Sequence, residues 1–346
     1  MQTKGIYLYG IVPNLNGIEQ NQVHKDSGVY FIAYRDFSVL VSDTDSTVLD
    51  FADREKLGRL LISHQKIIES FMAIGYSMIL PVKLGTIVSS REEVLGILAR
   101  GYELIGSILS RTDQLLEMDL AVTWADFGKT LQEIALLPEI EAIKEELLNH
   151  SAAPTTLDQV RVGMQVQAKL DERNKAVELS IMHKLSACCE DIKVHEVMND
   201  QMITNAAYLL KKLNLAKFEQ AIDLLDAEYQ GHLNFKLVGP LPCYSFYTIE
   251  VKELNLDQVH LANSELGIQG VFSDSELKKA FLEKAKLYHP DGALESVNED
   301  KFLKISKAYH LLLEYSKATR QLDHNKQPFS EDNQGSKKLI LVKLKD

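Results

Sequence analysis

Residues Leu277–Asp291 read LKKAFLEKAKLYHPD. Leu277, Phe281, Ala285 and Tyr288 recur at three- and four-residue spacing, which lines them along one face of a helix. Lys278, Lys279 and Lys286 fall off that stripe, on the side expected to face water. Pro290 stops the helix, because it has no N–H to donate and its ring collides with the preceding turn. A second helix is predicted over roughly Asn298–Tyr315, with Phe302, Ile305, Ala308, Tyr309 and Leu312 on one face. The pattern therefore predicts two antiparallel helices joined by a short loop that carries His289, Pro290 and Asp291.

A helical hairpin with that tripeptide in its loop resembles a J-domain, the Hsp70-stimulating module of the DnaJ family. The resemblance runs over residues 262–323. Leu266-Gly267-Ile268 is similar to the family's opening LGV, and Phe302 to Leu312 is similar to its F-x-x-I-x-x-A-Y-x-x-L helix. Arg320-Gln321-Leu322-Asp323 is a weaker echo of its closing R-x-Y-D. The tripeptide alone is a weak signal; two helices in register with it make the match specific. The resemblance implies that Lys278, Lys279 and Lys286, with His289, Pro290 and Asp291, meet an acidic patch on an Hsp70. Leu282 and Glu283 stand where the family usually has basic residues, and Gly292 replaces a common Lys. Fewer positive charges weaken steering toward an acidic partner. The alternative is a J-like fold kept only as a docking helix pair.

The chain has 346 residues, enough for two or three domains. Its formal net charge of -11 argues against a general nucleic-acid binder, whose phosphate contacts need a basic surface. Cys188 and Cys189 are adjacent and Cys243 stands apart, with no CxxC or Cys/His spacing. They read as reduced cytosolic thiols, with no disulfide and no zinc site expected. No apolar run reaches membrane-spanning length, and MQTKGIYLYGIVPN has the wrong flanks for a signal peptide. A cytoplasmic protein with no membrane segment is expected.

In chain order, Gly5–Val12, Gly28–Tyr34 and Phe37–Ser42 read as strands, the last two joined by a tight turn at Arg35-Asp36. Arg54–Ile74 is an amphipathic helix, Met78–Val88 a strand bent at Pro81, and Glu92–Gln114 a second helix. Met118–Trp124 is a strand, Phe127–His150 short helices around Pro138, and Thr156–Asp191 a long helix. Strands Ile192–Met198 and Met202–Leu210, helix Ala216–Tyr229 and strand Leu233–Val238 complete a strand–helix–strand–strand–helix–strand order. That order is ferredoxin-like. The fold class is thus α+β: two α+β domains, 1–117 and 118–250, then an all-α J-like module at 262–323 and a flexible tail at 324–346. Gly239–Phe246 (GPLPCYSF) reads as a rigid turn and Val251–Ser264 as a hinge into the module. Lys337–Lys345 (KKLILVKLK) reads as an added edge strand or a sticky tail.

The opening YLYGIV, the helix around His64, LPVKLGTI at Leu80–Ile87, the long helix containing Gly163 and GPLPCYSF together resemble the gas vesicle protein F/L family over residues 1–250. The family builds gas vesicles, the gas-filled protein shells of some prokaryotes. The resemblance implies an assembly factor that contacts the small hydrophobic GvpA-like shell protein and other gas vesicle accessory proteins, and that recruits Hsp70 through the J-like module. Location in the cytoplasm and on the vesicle follows. The runner-up is a minor structural component whose J-like module docks other assembly proteins. A general DnaJ-type co-chaperone is disfavoured, since the Gly/Phe-rich segment and zinc ribbon common in such proteins are missing.

Strand edges offer unpaired N–H and C=O groups to an incoming chain, which makes Tyr7, Tyr9 and Lys83 candidates for contact with the shell protein. The competing reading is that Tyr7, Tyr9, Phe31 and Tyr34 fill the core and that Lys83 is solvated. His64 reads as a core or boundary histidine rather than a catalytic one. His183 and His195 have no partners at metal-ligand spacing. Glu141, Glu145 and Glu146 with Lys144 form an ordinary charged helix face. The sequence holds no phosphate loop, no GxGxxG, no GxSxG elbow and no HExxH, so neither an enzyme nor a cofactor is expected.

Overall fold

The computed structural model describes residues 5–14, 28–45, 53–76, 78–150, 155–270, 272–288, 297–324 and 338–345. The first elements are β1 (Gly5–Pro13), β2 (Val29–Tyr34), β3 (Phe37–Thr44), α1 (Arg54–Ala73), β4 (Leu80–Pro81), β5 (Ile87–Val88), α2 (Arg91–Arg100) and α3 (Tyr102–Thr112). Then come β6 (Leu115–Trp124), α4 (Phe127–Ala135), α5 (Pro138–His150), α6 (Thr156–Ser186), β7 (Asp191–Val194), β8 (Met202–Lys211), α7 (Leu215–Tyr229) and β9 (Leu233–Leu241). The chain closes with β10 (Ile249–Asn255), α8 (Leu256–Leu266), α9 (Asp274–Tyr288), α10 (Val297–His324) and β11 (Lys338–Leu344). It divides into two compact units, Met1–Ser110 with Tyr247–Asp346, and Arg111–Phe246. The fold is α+β, as the sequence pattern predicts.

In the first unit the sheet order is β2-β3-β1-β4, with β5 also on β1. The β2–β3 hairpin turns at Arg35-Asp36, where Arg35 takes a positive φ of 49°. β1 is buried along nearly all its length. Leu8 and Ile11 pack with Val94, Ile97 and Leu98 of α2 and Ile105 and Ile108 of α3, whereas Tyr7 and Tyr9 meet His64 of α1. A strand covered on both faces reads as a continuous apolar run, which is why GIYLYGIV does not alternate cleanly.

Four expectations for this unit change. Met78–Val88 is not one strand: β4 pairs with Gly10 and Ile11 and β5 with Ile6 and Tyr7, and Lys83–Thr86 form a turn between them. Gly85, at φ +84°, permits that turn, and Lys83 donates its N–H to the carbonyl of Ile249 at 2.8 Å. The single helix over Glu92–Gln114 is two, meeting at Gly101, where an added Cβ would lie 2.8 Å from Val342 Cγ1. The hinge over Val251–Ser264 is a strand and a helix, because β11 returns from the chain end and pairs antiparallel with β10 from Ile249↔Leu344 to Asn255↔Lys338. Lys338–Leu344 is accordingly a strand and not a flexible tail; residues 325–337 lie outside the described residues. Val342, fully buried, joins the main core of this unit.

The second unit carries a four-stranded sheet in the order β7-β8-β6-β9, with every neighbouring pair antiparallel. With helices between β6 and β7 and between β8 and β9, this is the ferredoxin-like arrangement. Leu116, Met118, Leu120, Val122 and Trp124 alternate along β6 and pack on Leu170, Ile181 and Leu185 of α6 and Phe218, Ile222 and Leu225 of α7. A capping box fixes the start of α6: Asp158 N–H donates to the Thr155 hydroxyl, and the Asp158 carboxylate accepts the Thr155 N–H.

Candidate functional site

The helical module is built from α8, α9 and α10. Ser273 and Glu276 cap α9 reciprocally: Glu276 N–H donates to Ser273 Oγ at 3.3 Å, and the Glu276 carboxylate accepts the Ser273 N–H at 2.8 Å. Val259, Ala262 and Leu266 of α8, Leu277 of α9, and Ile305, Ala308 and Leu312 of α10 form its core. Phe281 stacks on Tyr309 with ring centroids 4.5 Å apart. Arg320, in the segment that echoes the family's closing motif, reaches back to both oxygens of Asp274 at 2.5 Å and thereby ties the start of α9 to α10. The Arg320 guanidinium holds the Asp274 carboxyl below the usual range, as does the Ser316 hydroxyl.

The outward side of α9 carries the predicted basic residues. Lys278, Lys279 and Lys286 are all exposed. Leu282 lies three residues after Lys279 and four before Lys286, so it sits among them on one face while 46% exposed. Glu283 is exposed and Leu287 is 71% exposed on the same outer side. His289, Pro290 and Asp291, with Gly292, lie outside the described residues.

The three residues singled out in the N-terminal unit do not form one surface. Tyr7 and Tyr9 are buried. The Tyr7 hydroxyl pairs with His64 Nδ1 at 2.9 Å and accepts the Gly85 N–H at 3.3 Å, while the Tyr9 hydroxyl pairs with Ser42 Oγ at 3.0 Å. Burial lowers the His64 pKa to about 4, so its ring is neutral at physiological pH, and raises Tyr7 to about 12. Lys83 is exposed but engaged: its ammonium donates to Glu250 Oε1 at 2.5 Å. Lys343 lies 3.5 Å from Glu250 and 3.2 Å from Glu314, and Lys252 lies 2.5 Å from Glu314. This charge network joins the β4–β5 turn, β10, β11 and α10.

A cluster in the second unit escapes sequence reading. Glu117 and Asp119 occupy the face of β6 opposite its apolar stripe, a pattern that normally marks solvent-facing positions. The GPLPCYSF segment instead folds over Glu117, which is 1% exposed and accepts the Ser245 N–H at 2.8 Å and the Ser245 hydroxyl at 2.9 Å. His195 Nε2 lies 3.1 Å from Ser245 Oγ. The Ser245 hydroxyl thus lies between the Glu117 carboxyl and the His195 imidazole. Gly239 explains the start of this segment: its φ is +147°, and a Cβ there would meet Met118 Sδ at 2.5 Å and the Glu117 carbonyl at 3.0 Å. Among the described residues no group of three or more His, Cys, Asp or Glu side chains is arranged to hold a metal. Nor is any helix among them long and apolar enough to cross a membrane.

Comparison with known proteins accounts for both parts of the chain. Residues 5–248 match the model of the gas vesicle synthesis protein GvpL/GvpF family. The chain belongs to the GvpL/GvpF family. Residues 264–322 match the DnaJ domain. Gas vesicle protein F of Microcystis aeruginosa is 22% identical over 255 residues, covering 70% of this chain and 98% of that protein. The Dolichospermum flosaquae protein of the same name is 23% identical, covering 71% and 98%. In the DnaJ part, DnaJ homolog subfamily C member 16 of Rattus norvegicus is 41% identical over 59 residues, covering 17% of this chain and 8% of that protein. The crystal structure of GvpF from Anabaena sp. PCC7120 superposes with a TM-score of 0.57 at 23% identity, covering 70% of this chain and 98% of that one. The GvpL/GvpF match ends one residue before β10, and the DnaJ match falls wholly between β10 and β11. The helical module is therefore an insertion between two paired strands, and the strands themselves are additions to the family-matched region.

Proposed function

We propose that this chain is a gas vesicle assembly factor. On this reading residues 1–250 hold the small hydrophobic GvpA-like shell protein, and the J-like module at 262–323 recruits Hsp70. The observation that carries the reading is a DnaJ domain set within a GvpL/GvpF-family chain, between the two strands of an antiparallel pair. An apolar shell subunit is an aggregation hazard before incorporation. Joining a holding domain to a chaperone-recruiting one raises the chaperone's effective concentration at the client. On α9, Lys278, Lys279 and Lys286 are the proposed Hsp70-facing residues, with His289, Pro290 and Asp291 after them in the sequence. Lys83 is the remaining proposed shell-protein contact, since Tyr7 and Tyr9 are interior. The protein works in the cytoplasm and at the growing vesicle, alongside other gas vesicle accessory proteins, and needs no cofactor.

The test compares full-length chain, H289Q and a K278E/K279E/K286E variant. The readouts are stimulation of Hsp70 ATP hydrolysis and the fraction of GvpA-like shell protein kept soluble. Both variants should lose stimulation and leave more shell protein insoluble when Hsp70 is present. An H289Q chain that stimulates as well as wild type defeats the recruitment reading. One observation favours the runner-up, a minor vesicle component whose module only docks other assembly proteins. An exposed leucine, Leu282, sits among the three lysines with Glu283 beside it, which suits a mixed apolar partner surface better than a purely acidic one. Near-stoichiometric retention of the chain on washed vesicles would support that second reading.

A further inference from the structure

We propose that Glu117 and Asp119 form a proton-holding latch that keeps Cys243–Phe246 seated on the second unit's sheet and releases it as pH rises. Glu117 lies on β6 between Leu209 of β8 and Leu241 of β9 and is 1% exposed. It receives both the N–H and the hydroxyl of Ser245, so the segment is fastened to this one carboxyl. Two further groups brace the same serine. His195 Nε2 is hydrogen-bonded to Ser245 Oγ at 3.1 Å, and the Lys193 ammonium donates to the Ser245 carbonyl at 3.0 Å.

The charges facing the latch come from every side. Asp119 is two residues along β6, on the same face as Glu117. Its Oδ1 is buried without a hydrogen-bond partner among the described residues. His195 and Lys193 approach from the β7 side, and Cys243 from the segment itself. Lys212, just after β8, faces Cys243. The Lys193 ammonium is spent on a backbone carbonyl, and the charge acting on Glu117 is that of Asp119, whose carboxyl is hydrogen-bonded to it. Two carboxylates in contact away from water cannot both ionise readily, so the pair keeps one proton. Burial first, and then the Asp119 charge, push Glu117 up to about 8 against the opposing pull of the Ser245 hydrogen bonds. Burial pushes Asp119 upward as well.

Lifting the segment returns Glu117 to water, where it ionises at its ordinary value of 4.5. Opening therefore releases a proton. Between those two values, each pH unit makes opening about tenfold more favourable. The latch is closed in mildly acidic solution and loosest above about pH 8. Cys243, 5% exposed when the segment is seated, is uncovered with it.

The experiment is hydrogen exchange by mass spectrometry on the full-length chain, following the peptide over Cys243–Phe246 from pH 6 to 9. Rates are divided by those of the unstructured peptide at each pH. Wild type should show opening that rises about tenfold per pH unit and then levels off, and E117Q should be flat. H195Q should keep the slope, which excludes the imidazole as the titrating group. Wild-type protection that is constant from pH 6 to 8 overturns the proposal, and so does E117Q with an unchanged slope. If E117Q does not fold, D119N decides. Removing the neighbouring charge should move the levelling point to lower pH, and an unmoved point overturns the latch.

Discussion

The contact between Gly101 and Val342 offers a sharp test of how the chain end is built into the fold. Val342 is fully buried in the main core of the first unit, and an added Cβ on Gly101 would lie 2.8 Å from its Cγ1 and 3.0 Å from Ile105 Cδ1. Val342→Ala deletes two buried methyl groups, worth roughly 0.8 kcal/mol each before any cavity term, so about 2 kcal/mol in all. Gly101→Ala meets no backbone strain, because φ is -84°. It does overpack the site, at about 1–3 kcal/mol, offset by up to about 1 kcal/mol of helix propensity. In the double variant the new methyl enters the space vacated by Val342. The pair should then be more stable than the sum of the singles by about 1 kcal/mol or more. The assay is native-state hydrogen exchange on α2, α3 and β11 for the four chains of the cycle, because a two-unit protein need not unfold in one step. Singles that add to within about 0.5 kcal/mol would refute the seating of β11 against the α2–α3 junction.

His64 supplies an acid-side prediction. Its folded pKa is depressed to about 4 by burial, below the ordinary 6.5, so the unfolded chain takes up a proton that the folded one refuses. Stability present above pH 6.5 is lost as pH falls toward 4, by up to about 3 kcal/mol, and His64→Asn should flatten that slope in pH-dependent denaturation. Leu277, fully buried at the centre of the module, should cost about 2–5 kcal/mol as Leu277→Ala, read as faster exchange throughout α9. Arg320→Ala breaks an ion pair whose side chains are 54% and 46% exposed, so it should cost under about 1 kcal/mol by the same measurement. Gln321→Ala removes the two side-chain bonds that clasp the N–H and C=O of Val342, and should selectively speed exchange in β11.

Much of the architecture is legible because most elements obey local rules. The helices announce themselves through apolar spacing, and the ferredoxin-like order follows from counting strands and helices around β6. What escapes is pairing at long range. KLILVKL suits a strand, but nothing near it in sequence says which edge it joins. Its partner, Ile249–Asn255, lies on the far side of an inserted helical module and so reads as a hinge. The two-residue strands β4 and β5 are too short to carry a period. Glu117 misleads for a related reason: a polar residue on the second face of an antiparallel strand reads as solvated unless one knows that a distant loop covers that face. On the module, the helix lysines were legible from period alone, whereas the Asp274–Arg320 clasp needs the antiparallel register of two helices.

The insertion topology also decides how the two proposed activities can be separated. Cutting the chain after Asn255 would discard β11 along with the module. It would strip β10 of its antiparallel partner and empty the Val342 socket, so lost shell-protein binding would report an unfolded first unit rather than a missing chaperone recruiter. The register provides a better cut. Asn255 pairs with Lys338, so a short Asn-Gly turn can join β10 to β11 directly and excise residues 256–337. Excision uncovers Leu254 and Leu341, each 1% exposed where they pack with Ala318 of α10, so both should be changed to Thr to suit a solvent-facing strand surface. The expected result is a chain whose α2–α3 exchange matches wild type, which holds the shell protein and does not stimulate Hsp70. If the hairpin-closed chain folds but fails to hold the shell protein, client contact lies on the module and the division of labour proposed above is wrong. If its first unit unfolds despite the repaired surface, α10 is part of that unit's core and the module is not a separable addition.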